Sequence, residues 1–428
     1  MREYLSVTGG HSLVGEVRVS GAKNSALPLL IATLLSNQEC EIANIPDLDD
    51  IDATVRLLKS FGAEVVRVGS TVKINAKNII TSEAPHSLTK VMRASFWVLG
   101  PVLARTGHAR VSLPGGDAIG QRPVDLHLNG LHRMGADIRF QNGSVIASAP
   151  GGLNGANITL DFPSVGATHQ LLMTAALVEE ETIISGAARE PEIVEVAQFL
   201  SLMGAEIEGA GTPRIVVRGK KKLGAAKISV LGDRIEAATY LAAAAMTHGQ
   251  VTVSGIEAQA LSGVLDIFKQ MGCQLDLSDG QIKLSADSHK GVVFQTAPFP
   301  GVATDTQPML LAAMTNAEGQ GEVTETIFEN RFGHAHEFKK FGADLLISGR
   351  VCQVRGVQKL KGAVVEAGDI RAAAALVLMG LVSQGESQIY EIHHLDRGYE
   401  RMVEKFRALG AQLKRVPAFD GTESVIGC

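Results

Sequence analysis

Residues 55–68 read VRLLKSFGAEVVRV, and this stretch decides the fold. Val55, Leu58 and Phe61 recur at helical spacing, and Val65, Val66 and Val68 then form a short β-branched run. Gly62 stands at the junction, where a glycine can take the positive φ that ends a helix and releases the chain into a strand. The same phrase returns as LHRMGADIRF (131–140), FLSLMGAEIEG (199–209), FKQMGCQLDL (268–277), FKKFGADLLISG (338–349) and FRALGAQLKRV (406–416). Its pivots are Gly62, Gly135, Gly204, Gly272, Gly342 and Gly410, spaced 68 to 73 residues apart. An α-solenoid would repeat over a shorter period and carry no strand in each unit.

A second, more apolar phrase also occurs six times: KNSALPLLIATLL (23–35), MRASFWVLGPVLA (92–104), GATHQLLMTAALV (166–178), RIEAATYLAAAAM (234–246), TDTQPMLLAAMT (304–315) and DIRAAAALVLMGLV (369–382). A helix apolar on nearly every side must be buried, whereas the amphipathic helix before each pivotal glycine should face solvent. The fold class is therefore α/β, with six βα-type repeats of about 70 residues. Six units in 428 residues suggest two domains of three units each. Lys220–Gly224, near the midpoint, is the expected hinge. The N-terminal EYLSVTGG strand precedes the first full unit and could pair within the last domain.

Composition narrows the function. Forty Lys and Arg against 45 Asp and Glu leave a net charge of −5, without the basic face a nucleic-acid binder needs. Cys40, Cys273, Cys352 and Cys428 show no paired spacing, so neither a zinc site nor a disulfide framework is suggested. The N-terminus lacks an apolar signal core, and the longest apolar runs fall short of a membrane span. A cytosolic protein is expected. His334 and His336, two residues apart, do not share a helix face, so they make a poor metal pair.

Polar residues recur at one place, the start of the buried helices. Lys23 and Asn24 open the first, Arg93 the second, Asp233 and Arg234 the fourth, Asp305 the fifth, and Asp369 and Arg371 the sixth. Ser164 and Gly166 precede the third. Helix N-termini expose free N–H groups and carry positive partial charge, so they attract anions. If they converge between two domains, these ends, with Lys23, Arg93 and Arg371, would form an anion site. Three further segments carry charge beside glycine or aromatic residues: LPGGDAIGQRPVDLH (113–127), TIFENRFGH (326–334) with Arg331, and HLDRGYER (394–401) with Arg397.

These segments, together with VSGAKNSALPLL, VMRASFWVLGP, SVGAT, AAREPEIVE and GDIRA, closely resemble the enolpyruvyl transferase family. Within it they resemble the bacterial UDP-N-acetylglucosamine 1-carboxyvinyltransferases over almost the whole chain. The resemblance implies a two-domain inside-out α/β barrel with buried helices and outer sheets. One domain would span 22–230 and the other would join 1–21 to 231–428, with the active site in the cleft between them. It implies transfer of the enolpyruvyl group of phosphoenolpyruvate to the 3-hydroxyl of UDP-N-acetylglucosamine, the first committed step of peptidoglycan precursor synthesis. Those two small molecules are the implied partners, with no cofactor, metal, nucleic acid, membrane or obligate protein partner. The alternatives are the sister reaction on shikimate 3-phosphate and a catalytically silent UDP-sugar-binding paralogue.

By the same resemblance, Lys23, Arg122 and Arg397 grip the phosphate of phosphoenolpyruvate, Arg331 and Arg371 its carboxylate, and Asn24 lines the cleft. Arg93, Arg122, Pro123, Val124, Asp125, Leu126, Ser164, Val165, Gly166, Asp305 and Ile327 hold the sugar nucleotide. Asp305 is the implied general base, and Asp369 a supporting residue. Asp117 stands where most relatives carry a reactive cysteine. A carboxylic acid can still donate a proton there if burial raises its pKa. It lacks the soft thiolate that fosfomycin alkylates, so insensitivity to fosfomycin is implied. Asp161-Phe162-Pro163 and the pair Asp47 and Asp49 also depart from the usual family pattern.

Overall fold

A computed structural model of the chain describes residues 3–90, 92–115, 120 and 123–418. The elements repeat in one order. A buried helix leads to a strand, an amphipathic helix and a two-stranded hairpin. In most repeats a three-residue strand then pairs in parallel with the sheet of the next repeat. In the first half the buried helices are Lys23–Ala32, the 3-10 turn Arg93–Val98 running into Leu99–Thr106, and Val165–Ala175. In the second half they are Arg234–Met246, Gln307–Met314 and Ile370–Val382. Every residue of Arg234–Met246 is buried, as its largely apolar sequence requires, the charged Arg234 and Glu236 included.

All six pivotal glycines are left-handed, with φ between 89° and 116°. Most other residues are strained there, which is why the phrase keeps glycine at this point. Phe268, Phe338 and Phe406, each four residues before its glycine, are fully buried beneath the sheets. The amphipathic helix Pro191–Leu202 departs from the expected solvent-facing role. It packs against Lys23–Ala32 and buries Glu192 and Glu195.

Among the described residues, five sheets have four strands and one has three. Strands Asn157–Thr159, Lys227–Ser229, Val293–Gln295 and Val364–Glu366 each supply the parallel edge of a sheet belonging to another repeat. In the three-stranded sheet that edge shrinks to a single bridge, Glu83 to Arg110. Lys227–Ser229 pairs back with Glu39–Ala43 of the first repeat, so the first three repeats close into a ring.

The second half closes by a different route. Strand Glu3–Thr8 lies between Glu386–Tyr390 and Gln412–Pro417, antiparallel to both. Strand Val14–Arg18 then runs parallel to Gln250–Ser254. The first sixteen described residues therefore complete the last repeat and supply the edge of the fourth.

Two separate apolar cores result. One is built from residues between Ala22 and Val230. The other combines Leu5 to Val19 with Ile235 to Leu413. The chain passes from one to the other at Ser20–Ala22 and Leu231–Asp233, where Gly21 bridges Gly232 and the Ala22 amide donates to Leu231 O at 2.8 Å. Glycine is needed at both positions: a Cβ on Gly21 would lie 1.8 Å from Asn44 O, and one on Gly232 2.0 Å from Gly255 O. The crossing is thus not at Lys220–Gly224, the expected hinge. Leu223 in that stretch is buried in the first core, and the Gly224 amide donates to Met203 O. Nearness to the chain midpoint singled out the lysine run; two small glycines mark the crossing itself.

Candidate active site

Lys23 begins the first buried helix, and Asp233 caps the fourth from the other lobe. Asp233 Oδ1 accepts the Ile235 and Glu236 amides at 2.8 and 3.0 Å, and Oδ2 accepts the Lys23 amide at 3.2 Å. One cap thereby fixes two helix starts side by side. Asp369 plays a similar part on the sixth helix. Its Oδ1 accepts the Arg371 and Ala372 amides at 2.7 and 2.9 Å, while Oδ2 lies 3.4 Å from Arg331 Nη1. Capping of this kind leaves the adjoining side chains pre-aimed.

The cations converge on two carboxylates. Asp305 lies 3.0 Å from Arg371 Nη2 and 3.5 Å from Arg331 Nη2. Asp50 lies 3.2 Å from Lys23 Nζ and 3.0 Å from Arg397 Nε. Lys23, Arg331 and Arg371 are all buried, and Nη1 of Arg371 has no acceptor among the described residues. A buried guanidinium with an unused donor is equipped to receive an anion.

The titration behaviour has physical causes. Burial favours the neutral acid of Asp305, but Arg371, Arg331 and Lys23 outweigh it and hold the carboxyl well below its usual range. Burial lowers the Lys23 pKa; Asp50 opposes that, while Arg371 and Arg397 add to it. His334, behind Arg331, is kept neutral, its pKa pushed down to about 3 by burial and then by Arg331.

The other expected residues lie at the start of their elements. Asn24 is half-buried beside Lys23. Arg93 Nη2 donates to Pro123 O at 3.1 Å, joining the second buried helix to the segment Pro123, Val124, Asp125 and Leu126 at the head of helix Asp125–Arg133. Ser164 caps helix Val165–Ala175, its Oγ accepting the Ala167 amide at 3.2 Å. A Cβ on Gly166 would lie 3.1 Å from His127, so that loop sits directly on His127 and, at 3.3 Å, Trp97. Asp305 does not open its helix as expected; the helix begins at Gln307, after Thr306. Asp117 and Arg122 lie outside the described residues. The flank of their loop reaches the other lobe, because a Cβ on Gly120 would meet Glu329.

Three residues of consequence escaped the sequence reading. Asp50 looks like one more acid in an acidic first turn, and only the fold turns it inward. Glu325 is fully buried and accepts from Thr296 Oγ1 at 2.9 Å, Thr304 Oγ1 at 3.0 Å and the Ile327 amide at 2.8 Å. It thus holds the turn that carries Ile327. Glu192 pairs with Arg234 across the lobes at 2.9 Å. The sequence hint for Glu192 was its place on an amphipathic helix, where a buried acid demands a buried partner.

The model of the EPSP synthase (3-phosphoshikimate 1-carboxyvinyltransferase) family matches residues 7–406. The chain is 47% identical over 426 residues to a UDP-N-acetylglucosamine 1-carboxyvinyltransferase of Azorhizobium caulinodans, covering 97% of this chain and 99% of that one. It is 48% identical over 415 residues to a protein of the same name from Desulfosudis oleivorans, with the same coverage. Among solved structures, the enolpyruvyl transferase NikO from Streptomyces tendae superposes with a TM-score of 0.88 at 27% identity, over 98% of this chain and 100% of that one. EPSP synthase from Acinetobacter baumannii, at 20% identity and a TM-score of 0.75 over 97% and 100%, shares the fold. With a family model spanning nearly its whole length and relatives this similar from end to end, the chain belongs to the enolpyruvyl transferase family.

Proposed function

We propose that this chain transfers the enolpyruvyl group of phosphoenolpyruvate to the 3-hydroxyl of UDP-N-acetylglucosamine and releases phosphate, in the first committed step of peptidoglycan precursor synthesis. The observation that carries the reading is the meeting of Lys23, Arg331, Arg371 and Arg397, from two lobes, around two carboxylates, the buried Asp50 and the partly exposed Asp305. A small molecule with a phosphate and a carboxylate suits that pattern. Arg371 and Arg331 would take the carboxylate; Lys23, Arg397 and Arg122 would take the phosphate. The full-length relatives named for this reaction support the sugar nucleotide as acceptor over shikimate 3-phosphate.

Chemically, the 3-hydroxyl oxygen bonds to the enol carbon that bears the phosphate, while the neighbouring methylene carbon takes a proton. The tetrahedral adduct then loses a methyl proton and expels phosphate, restoring the double bond. Asp305 would receive the hydroxyl proton. Alone with its arginines it is too weak a base. Once the substrate carboxylate shares those guanidiniums, their hold on Asp305 weakens and its basicity rises. Asp117 would deliver the proton to the methylene, and the cations would stabilise the leaving phosphate.

A phosphate-release assay tests the reading. Release that requires both phosphoenolpyruvate and UDP-N-acetylglucosamine is expected. Release with shikimate 3-phosphate instead, or with neither acceptor, would overturn it. Fosfomycin is expected to leave no covalent adduct and no inhibition, and Asp117→Cys to restore both, as read by intact-protein mass spectrometry.

A further inference from the structure

Asp50 is the second residue of helix Asp49–Ser60 and only 3% exposed. Its two oxygens serve different lobes: Oδ2 meets Lys23 Nζ at 3.2 Å, and Oδ1 meets Arg397 Nε at 3.0 Å. A buried anion at the seat proposed for a dianionic phosphate would oppose binding by like-charge repulsion, so its presence there calls for a compensating role. The surroundings of Lys23 supply one. Arg371 and Arg397 face its ammonium, and Asp305 and Asp50 are the carboxylates that answer them. Asp233 is engaged with the Lys23 amide, and Glu195 on the neighbouring helix with Ser25 Oγ and the Leu231 amide. Asp305 is itself held by two arginines. Asp50 is therefore the carboxylate in direct contact with the ammonium, and it touches a guanidinium of the opposite lobe as well.

We propose that Asp50 is a positioning residue that spans the cleft, holding the Lys23 ammonium and the Arg397 guanidinium together on one anion seat. The proposal rests on the phosphoenolpyruvate reading above. Without the Asp50 charge, burial and the neighbouring arginines favour a neutral Lys23 as pH rises.

Asp50→Asn keeps the size and removes the charge. The KM for phosphoenolpyruvate should rise about tenfold or more, with the KM for UDP-N-acetylglucosamine within about twofold. The alkaline limb of kcat/KM for phosphoenolpyruvate should move down by about half a pH unit or more. An unchanged KM with an unmoved limb would overturn the proposal. Asp50→Glu, which keeps the charge, should leave the limb in place; should Asp50→Asn fail to fold, a shifted limb in Asp50→Glu would be the contrary result. If the wild type releases no phosphate at all, the enolpyruvyl reading fails separately. The role of Asp50 is then read from acetylation of Lys23 by acetic anhydride at pH 8, followed by peptide mass spectrometry. Labelling several-fold higher in Asp50→Asn is expected, and equal labelling refutes the role.

Discussion

Single side chains at this site act in linked pairs. Asp305 is claimed by Arg371 and Arg331, and Arg331 by Asp305 and Asp369. A guanidinium here presents several donors in a fixed plane, whereas an ammonium is a point charge. Arg371→Lys keeps the charge but cannot both hold Asp305 and offer the free donor to a substrate carboxylate. Its kcat/KM for phosphoenolpyruvate should fall on the order of 100-fold, with the fold retained by circular dichroism. A variant within about threefold of wild type would show that the fork is not used. The sequence made Lys23, Asp305 and Arg371 conspicuous, because charged residues at the rims of apolar segments stand out, while Arg331 and Arg397 were assigned to the site only by the family resemblance. It hid Asp50, whose inward turn depends on which face of an acidic helix start meets the other lobe.

Two helices hold the crossing strands from opposite sides. Glu195 of Pro191–Leu202 accepts the Leu231 amide at 2.7 Å, and Glu236 of Arg234–Met246 accepts the Ser20 amide at 2.8 Å. Burial lifts each carboxyl to about 7, despite the Ser25 hydroxyl on the first and Lys405, 2.6 Å away, on the second. A carboxyl with a raised folded-state pKa binds more protons folded than unfolded between its ordinary 4.5 and about 7. Stability therefore falls as pH climbs through that window, by up to about 3 kcal/mol for Glu195. Glu195→Gln should flatten this decline; urea melts at pH 5 and pH 8 would read it, and an unaltered slope would disprove the assignment. The helices themselves were legible from period and glycine placement. The burial of Pro191–Leu202 was not, because its acids suggest a solvent-facing helix, yet Glu192 and Glu195 are buried, Glu195 bonded to Ser25 of Lys23–Ala32.

At the level of the molecule, six copies of one phrase form two rings, the first closed by its own strand Lys227–Ser229 and the second by strands from the N-terminal segment. The repeat, the strand after each glycine and the spare N-terminal strand could be read from sequence. The crossing points came only from the family resemblance, since glycines at a close backbone approach look like any other glycines until their neighbours are known. Removing residues 1–18 would strip the strand between Glu386–Tyr390 and Gln412–Pro417 and the edge beside Gln250–Ser254. One sheet would lose an inner strand and another an edge strand, while the core of residues 22–230 would be untouched. Such a truncation should split unfolding into two transitions in calorimetry, the lower one belonging to the second lobe; a single transition at the wild-type temperature would contradict this.

Strand Glu3–Thr8 is synthesised long before one of its two neighbours, Gln412–Pro417. The lobe of residues 22–230 has all its material as soon as its own sequence has emerged. Strand Glu3–Thr8 must wait unpaired until Glu386–Tyr390 and Gln412–Pro417 have been made. Birth order and assembly order are thus inverted for this strand, and the growing chain carries it in reserve until both its partners exist.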